Sequence, residues 1–394
     1  MKTRMTMKAA VSLAALACAA AYAPTVALAA TDGPILFGLI AGTTGAYGAT
    51  GVQTVQGAEV AVDKLNADGG LLGRPVKLEW YNDNASGTVS GELFKKLVSE
   101  GAVAIVGSPD TGPVTAQLSD RYKVLDIGLI DSGGLTIYPD GPDADPHAWA
   151  FQFGANSFAW GGKIAEYALK HCPGGIAVIH DQTSYGEGGA AAIKSVYAKA
   201  GKKVASDQPI TENWSTGATT GLLPEINSAK KAGADCFVMW LTPQDQAAFL
   251  QDMHTLGDKS LIFGNDEVNA DDTVINLAGA TADGVLGAAL TATAHPSDAL
   301  KAFTEVYKAK FKEEPSQFSA TTYDSVMALG ECIKSTKSTE QETLRSCMNK
   351  LTGYVGIAGD VTFTPKKHVT VTAESMFMTK YVKDAKLAGR SLST

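Results

Sequence analysis

Short apolar runs and amphipathic stretches alternate along most of the chain. The strand-like run Ile35–Ile40 is followed by Gln53–Asn66, in which Ala58, Ala61 and Leu65 recur at helical spacing. The same alternation then predicts strand Val76–Tyr81, helix Gly87–Ser99, strand Ala102–Val106, helix Val114–Tyr122 and strand Val124–Ile130. Strands separated by helices of this length form βαβ units, so we expect a parallel sheet.

The pattern restarts after a boundary near 150–156. The predicted elements are helix Ala159–His171, strand Ile176–His180, helix Gly189–Ala200, a strand from Val204, helix Leu222–Ala232, strand Phe237–Leu241, helix Gln244–Leu256, strand Leu261–Phe263 and helix Val274–Leu277. A connecting strand, Val285–Thr291, two or three helices between Asp298 and Leu351 and a β-like tail, Asp360–Tyr381, complete the chain. The fold class expected from this order is α/β, with two successive doubly wound parallel sheets.

Composition narrows the function. The chain has 394 residues, of which 45% are hydrophobic and 19% charged, as in globular proteins. A formal net charge of −8 argues against a nucleic-acid partner, because such proteins usually carry a basic excess. The six histidines and five cysteines show no metal-ligand spacing, and no dinucleotide or P-loop fingerprint is present, so we expect neither a metal nor a cofactor.

The N-terminal segment has the pattern of an export signal. Three bases lie within the first eight residues, an apolar run covers Ala9–Ala20, and Ala27-Leu28-Ala29 offers a cleavage site that would leave Ala30 as the mature start. A membrane anchor and a lipoprotein attached through Cys18 are the alternatives. The first lacks the roughly 20 apolar residues of a spanning helix. The second has alanine where the lipidation motif usually has leucine.

Export would leave four cysteines in an oxidising compartment, where two disulfides can form with three possible connectivities. Cys332 and Cys347 lie on neighbouring helical segments, so this pair is favoured. Cys172 and Cys236 each lie near the start of a predicted strand and would meet if those strands are neighbours. Buried free thiols are the alternative for both pairs.

Three short motifs resemble those of other activities, but each lacks a feature that the activity requires. Glycines at 42, 45, 48 and 51 follow the first strand without the spacing of a dinucleotide site, which leaves a flexible loop at a helix N-terminus. Asp131–Gly134 matches a serine-protease signature, but the first histidine follows the serine, against that family's order. His180-Asp181 ends a strand, but no nucleophile is partnered with it in the sequence, so a structural histidine is favoured.

Several segments together resemble the type I periplasmic solute-binding proteins of ABC transporters, in the branched-chain amino-acid (leucine-binding) group. The matching segments are Asp63–Gly70, Leu72–Val76, Ala104–Ser108, Ile179–Asp181, Tyr185–Gly188, Leu277–Gly279 and Asp283–Val285. The likeness extends from Ile35 to Tyr381, and it identifies the family more strongly than the ligand.

The resemblance implies two α/β lobes joined by three hinge strands, with a ligand trapped between them. It places residues 30–152 and 287–356 in the first lobe and residues 153–286 and 357–394 in the second, after a signal peptide at 1–29. Ligands of open α/β sheets lie beyond the carboxyl ends of the strands, so the site is expected in the cleft between the lobes.

In the first lobe, the resemblance assigns five residues to the ligand. Tyr47 matches an aromatic side chain that covers the ligand, and Thr111 matches a hydroxyl residue that holds its carboxylate with backbone N–H groups. Ser132, Gly133 and Leu135 match the segment that contacts the carboxylate and the ammonium group. For Tyr47 and Ser132, an ordinary structural role is the alternative.

In the second lobe, Tyr185 matches an aromatic residue that closes over the ligand. Asp266 or Glu267 matches the acid that pairs with the α-ammonium, and Asp266 is favoured, with an ordinary structural role as its alternative. Phe318, which the resemblance places in the first lobe, matches an aromatic wall, and Trp160 adds aromatic bulk beside the hinge. Core packing is the alternative for both aromatic residues, because buried aromatic side chains usually belong to the core.

Departures from the family pattern keep the ligand class open. Leu135 replaces the usual ammonium-binding threonine, Gln152 replaces a common hinge arginine, and Phe158 and Trp160 enlarge the aromatic surface. A branched-chain or other hydrophobic amino acid remains the first hypothesis, and an aromatic or other small carboxylic acid is the second.

The resemblance implies a monomeric, non-catalytic periplasmic receptor that delivers its solute to an ABC permease in the inner membrane. A hydrolase that uses the same cleft is the less favoured reading, because no nucleophile–base pair is visible in the sequence.

Overall fold

A computed structural model of the chain describes residues 33–45, 48–107, 111–128, 133–140, 144–212, 221–266, 268, 273–290 and 296–382. The expected export signal, with Cys18 and the cleavage site, lies outside the described residues, as do Tyr47, Ser132 and Glu267. Within the described residues, no helix combines the length and apolar character that a membrane crossing needs.

The first sheet is parallel throughout and has the strand order β2-β1-β3-β4-β5. Its strands are β1 (Ile35–Ala41), β2 (Val76–Asn82), β3 (Ala104–Val106), β4 (Leu125–Gly128) and β5 (Ala150–Gln152). The connecting helices are α1 (Gly48–Ala67), α2 (Gly87–Ser99), α3 (Gly112–Tyr122) and the short α4 (Gly134–Ile137). This sheet confirms the first half of the predicted fold.

The second sheet has the order β13-β10-β9-β8-β6-β7 and is parallel except for β13, which runs antiparallel to β10. Its strands are β6 (Ile176–Asp181), β7 (Ser206–Ile210), β8 (Cys236–Trp240), β9 (Leu261–Gly264), β10 (Leu286–Leu290) and β13 (Met376–Lys380). Its helices are α5 (Ser157–His171), α6 (Ser184–Lys199), α7 (Leu223–Lys231), α8 (Pro243–Thr255) and α9 (Thr273–Ala278). Strands β6 and β8 are buried throughout, as expected for a parallel sheet covered on both faces.

Three further helices return along the first sheet. They are α10 (Asp298–Phe311), α11 (Gln317–Thr336) and α12 (Gln341–Met348), followed by the antiparallel pair β11 (Tyr354–Val355) and β12 (Asp360–Val361). Two 3₁₀ turns lie at Gly279–Ala282 and Ala373–Ser375. Helix α11 packs against α1, where a Cβ added to Gly57 would lie 2.2 Å from the Ser319 carbonyl oxygen.

Strand pairing corrects one detail of the predicted division. The predicted division starts a first-lobe segment at Gly287, yet the whole of β10 pairs with β13, and its first residue pairs with Phe263 of β9. The apolar strand therefore stays in the second sheet up to Leu290, where its backbone groups find partners.

Glycine-rich segments account for two boundaries that sequence reasoning placed too late. Helix α1 begins at Gly48 rather than Gln53, and α6 begins at Ser184 rather than Gly189. The glycines in these first turns permit close packing: a Cβ on Gly51 would lie 2.1 Å from the Gly42 carbonyl oxygen. The glycines expected to form a loop therefore belong in part to the helix itself.

Within the described residues, two neighbouring segments carry the chain from one sheet to the other. Gln152, at the end of β5, donates its backbone N–H to the His368 carbonyl oxygen at 2.8 Å. Two residues later, the Gly154 N–H donates to Thr370 Oγ1 at 2.8 Å, and the Val371 N–H returns to the Gly154 carbonyl oxygen. These bonds fasten one crossing segment to the other where sequence reasoning expects a hinge.

Both disulfides are present, which selects one of the three connectivities. Cys172 bonds Cys236 across 64 residues, and Cys332 bonds Cys347 across 15. The first joins the end of α5 to the start of β8, and the second joins α11 to α12.

Candidate functional site

The carboxyl ends of the two sheets approach each other beside the crossing segments. Helix α4 follows β4 of the first sheet and packs against α6, which follows β6 of the second. The Gly134 N–H donates to Ser157 Oγ at 2.8 Å, and a Cβ on Gly188 of α6 would lie 3.3 Å from the same nitrogen. Because ligands of α/β sheets bind beyond the carboxyl ends of strands, these facing edges form the candidate site.

Thr111 lies at this edge in the first lobe, one residue before α3, and is 5% exposed. Its hydroxyl donates to Asp83 Oδ2 at 2.8 Å and lies 2.7 Å from Ser90 Oγ. A hydroxyl has one hydrogen to donate, and this one is used inside the lobe. What the position offers to an anion is the positive end of α3.

Gly133 and Leu135 lie at α4, on the same edge. Gly133 is the residue before the helix, and Leu135 within it is half-buried. A Cβ on the intervening Gly134 would lie 2.2 Å from the Phe158 ring, so the added aromatic bulk of Phe158 packs directly on this turn.

Tyr185 and Asp266 meet at the edge of the second lobe. Tyr185 lies in the first turn of α6, and its hydroxyl donates to Asp266 Oδ1 beyond the end of β9. Tyr185 is 5% exposed and Asp266 only 1%. The ring of Tyr185 also packs edge-on against Trp240, with ring centroids 5.6 Å apart. Two residues assigned by resemblance, 81 positions apart in sequence, are therefore in contact.

Trp160 and Phe318 are both buried in the described structure. Trp160 belongs to the apolar core that also contains Tyr185 and Trp240, and its indole N–H has no hydrogen-bond partner there. Phe318 lies in the first turn of α11 on the first-lobe side. Both positions are compatible with the core role that sequence reasoning held as the alternative.

Three acids that sequence reasoning did not assign to the ligand lie at the same edge of the second sheet. Asp181 ends β6, Glu212 follows β7 by two residues, and Asp245 lies in the first turn of α8. Glu212 Oε1 accepts the backbone N–H of Thr242 at 2.8 Å. The sequence signal for them is weak, because it consists only of their following predicted strands.

Both ring nitrogens of His180 contact neighbouring groups of the protein, as expected for a structural histidine. Its Nε2 lies 3.0 Å from Asp207 Oδ1, and its Nδ1 lies 2.7 Å from the Asp181 carbonyl oxygen. The same pairing with His180, followed by Lys194, lowers the pKa of Asp207 to about 2.

One group of possible metal ligands occurs within the described residues, at Cys172, Asp235 and Cys236. The two sulfur atoms are bonded to each other, so they are not available as thiolates. This group lies at the start of β8, at the opposite end of the strand from the candidate site.

Comparison with known proteins agrees with this architecture. The family described as periplasmic binding protein matches residues 34–386. The "Leu/Ile/Val-binding protein homolog 3" of Brucella melitensis is 28% identical over 336 residues, which cover 81% of this chain and 84% of the relative.

Two solved structures share the fold at lower identity. The substrate-binding protein LivJ of Streptococcus pneumoniae, in complex with isoleucine, has a TM-score of 0.76 and 20% identity over 89% of this chain and 96% of its own. A solute-binding protein from Rhodopseudomonas palustris BisB5, in complex with 3,4-dihydroxybenzoic acid, has a TM-score of 0.73 and 20% identity over 88% and 93%.

Proposed function

Because the chain belongs to the periplasmic binding protein family, we propose that it is the solute receptor of an ABC importer. It traps a branched-chain or other hydrophobic amino acid between its two lobes and delivers it to a permease in the inner membrane. The members of this family are binding proteins, so the cleft serves recognition rather than catalysis.

The contact between Tyr185 and Asp266 carries the amino-acid assignment. An acid that accepts a hydrogen bond from a tyrosine hydroxyl at the edge of the second sheet supports the proposed pairing with an α-ammonium group. On the opposite edge, the N-terminus of α3 offers a positive potential to the α-carboxylate without a lysine or arginine. The names of the Brucella relative and of the Streptococcus complex support the same ligand class.

A second ligand class rests on the aromatic surroundings of the site. Phe158 packs on the α4 turn, Leu135 occupies the place of a polar residue, and the Rhodopseudomonas relative of similar fold was solved with an aromatic acid. An aromatic or other small carboxylic acid is therefore our alternative ligand.

We propose that the first lobe comprises residues 30–152 and 291–356 and the second comprises residues 153–290 and 357–394. This division follows the predicted one, with β10 assigned to the second sheet that it pairs with. Closure bends the crossing segments beside Gln152 and His368. The receptor would be exported, cleaved after Ala29 and act as a monomer in the periplasm.

A thermal-shift panel tests the ligand class directly. Leucine, isoleucine, valine, phenylalanine, benzoate and hydroxycinnamates should be compared on the wild type and on Asp266→Ala. A bound ligand raises the melting temperature through mass action. Removing the acid should weaken amino-acid binding by roughly 30-fold or more, because a buried ammonium loses its partner.

The two ligand classes give different patterns in this panel. Shifts with the aliphatic amino acids that disappear in Asp266→Ala support the amino-acid receptor. Shifts confined to the aromatic acids and equal in both proteins would exclude it and leave the alternative.

A further inference from the structure

The two disulfides differ in how accessible their sulfur atoms are. Cys172 and Cys236 are 3% and 1% exposed, so both ends of that bond are buried in the apolar core that also contains Trp160. Cys332 is likewise 0% exposed, but its partner Cys347 is only half-buried. Thiol–disulfide exchange begins when a thiolate reaches one sulfur atom of the bond. Cys347 is therefore the end that is open to attack among the four bonded cysteines.

A groove of about 690 Å³ opens at this bond. It lies between α11 and α12, and Cys332 and Cys347 both line it. Its volume falls within the range of protein sites that hold small molecules. A small thiol therefore has room to enter the groove and approach the Cys347 sulfur atom.

The lining of the groove is polar and carries charges of both signs. Glu331, Glu342 and Lys350 contribute to it, and so do five serine and threonine residues. Glu342 is paired with Arg345 at 2.9 Å. Hydroxyl groups together with an acid and a lysine suit a thiol that itself carries ammonium and carboxylate groups, such as cysteine or glutathione.

The position of α12 does not depend on the disulfide alone. Leu344 and Met348 of this helix are 0% exposed in the core of the first sheet. The side-chain amide of Gln341 donates to the Val103 carbonyl oxygen at 2.7 Å and accepts the Leu125 N–H at 3.3 Å. The bond closes a loop of 15 residues, against 64 for the other disulfide, and shorter loops contribute less stability. We therefore expect α12 to stay in place when the bond is opened.

We propose that Cys347 is a thiolation site, where a small amino-acid-type thiol enters the groove and is held as a mixed disulfide. The thiolate attacks Cys347 Sγ, so that a new S–S bond forms while the bond to Cys332 breaks. The electron pair passes to Cys332 Sγ, which then takes a proton. Met348 Sδ lies 3.8 Å from that sulfur and is a weak acceptor for the new thiol. The exchange consumes no oxidant or reductant other than the thiol.

This site is separate from the proposed ligand cleft. Cys332 lies near the C-terminal end of α11, whereas Phe318, which the resemblance assigns to the ligand, lies in the first turn of the same helix. The rise of an α-helix separates the two positions by roughly 20 Å. The modification thus goes beyond the receptor function and should leave solute affinity unchanged.

Incubation of the wild-type protein with reduced glutathione at mildly alkaline pH tests the assignment. N-ethylmaleimide traps the free thiols, and peptide mass spectrometry locates the products. We expect glutathione on Cys347, maleimide on Cys332 and an intact bond between Cys172 and Cys236, which serves as the internal control. With dithiothreitol, the bond at Cys347 should open at least about tenfold faster than the buried one, because access to sulfur limits the exchange.

Three results of this experiment would overturn the proposal. They are glutathione on Cys332 instead of Cys347, the absence of any adduct on the folded protein, and opening of the two disulfides at equal rates.

Two serine variants compare the two sulfur atoms in matched proteins. Cys332→Ser and Cys347→Ser both lack the bond and differ only in which sulfur remains. Folded Cys332→Ser should react with oxidised glutathione at Cys347, whereas Cys347→Ser should react only after unfolding in urea, because its remaining thiol is buried. Urea unfolding curves establish that both variants are folded. Equal reactivity of the two folded variants would contradict the proposal, and the wild-type experiment decides it if either variant fails to fold.

Discussion

Asp126 is a buried acid in the middle of a strand that otherwise has the composition of core. It lies on β4, is 0% exposed, and its Oδ1 would lie 2.5 Å from a Cβ added to Gly107. Burial raises the pKa of this carboxyl group to about 8, and neither of its oxygens has a hydrogen-bond partner among the described residues. The folded protein therefore holds a proton at neutral pH that the unfolded chain releases.

This proton gives Asp126→Asn a distinct effect on stability. Between the unfolded pKa near 4 and the folded pKa of about 8, only the folded state is protonated, so raising the pH favours unfolding by up to ~1.4 kcal/mol per pH unit. The asparagine variant lacks this dependence. Urea unfolding of both proteins at pH 5, 6, 7 and 8 measures the difference, in which the other titrating groups cancel. Parallel stability curves for the two proteins would show that Asp126 is ionised in the folded state.

At the same scale, some residues of the candidate site could be located from the sequence and others could not. Tyr185 and Asp266 could be assigned by resemblance, because motifs around strand ends carry their positions, and the structure places them in contact. Glu212 and Asp245 could not, because an acid after a strand usually lies in solvent, and nothing in the linear order says that two such loops converge. The position of Thr111 could be located from the sequence. Its hydrogen bond to Asp83 could not, because the two residues are 28 positions apart.

At the scale of elements, helix α6 shows how close packing overrides propensity. Gly189 lies inside the helix, and a Cβ there would be 2.2 Å from the Trp240 ring on β8. Gly91 in α2 is different, because its added Cβ would meet its nearest neighbour, Val114, at an ordinary 3.4 Å. Both glycines cost the helix the same intrinsic propensity relative to alanine.

The two glycines should therefore respond in opposite directions to alanine. Gly91→Ala should stabilise the protein by up to about 1 kcal/mol, because alanine is the better helix former and its methyl group would make only ordinary van der Waals contacts. Gly189→Ala should destabilise it by roughly 1–3 kcal/mol, because the added methyl group must displace a packed indole ring. Denaturant unfolding of both variants measures these changes. A stabilised Gly189→Ala protein would mean that α6 can move away from β8 at no cost.

The elements themselves were largely predictable from periodicity. Helix α2 was placed at its observed bounds, and β2 and β6 each extend one residue beyond the predicted strand. Errors occurred where local composition and tertiary packing disagree. Because of its glycines, α6 was predicted to begin later than it does. The three-residue strand β5 was not predicted, because its assignment depends on pairing with β4.

At the scale of the whole chain, periodicity predicts two parallel sheets but not how the chain passes between them. The crossing near Gln152 depends on bonds to residues 368–371, more than 200 positions away in sequence. The position of β10 likewise follows from antiparallel pairing with β13 near the end of the described chain. These long-range pairings decide which segments move together.

The crossing segments beside Gln152 and His368 connect the two sheets, and we expect the hinge to lie there. A ligand that touches Asp266 on one edge and the N-terminus of α3 on the other stabilises the closed arrangement more than the open one, so binding shifts the population towards closure. Small-angle X-ray scattering of the wild type should then show a smaller radius of gyration when the ligand identified by the thermal-shift panel is added. Asp266→Ala, examined at the same concentration of an amino-acid ligand, should keep the larger radius. An unchanged radius in wild-type protein that calorimetry shows to be saturated would exclude closure, and the receptor would then bind its solute on a rigid cleft.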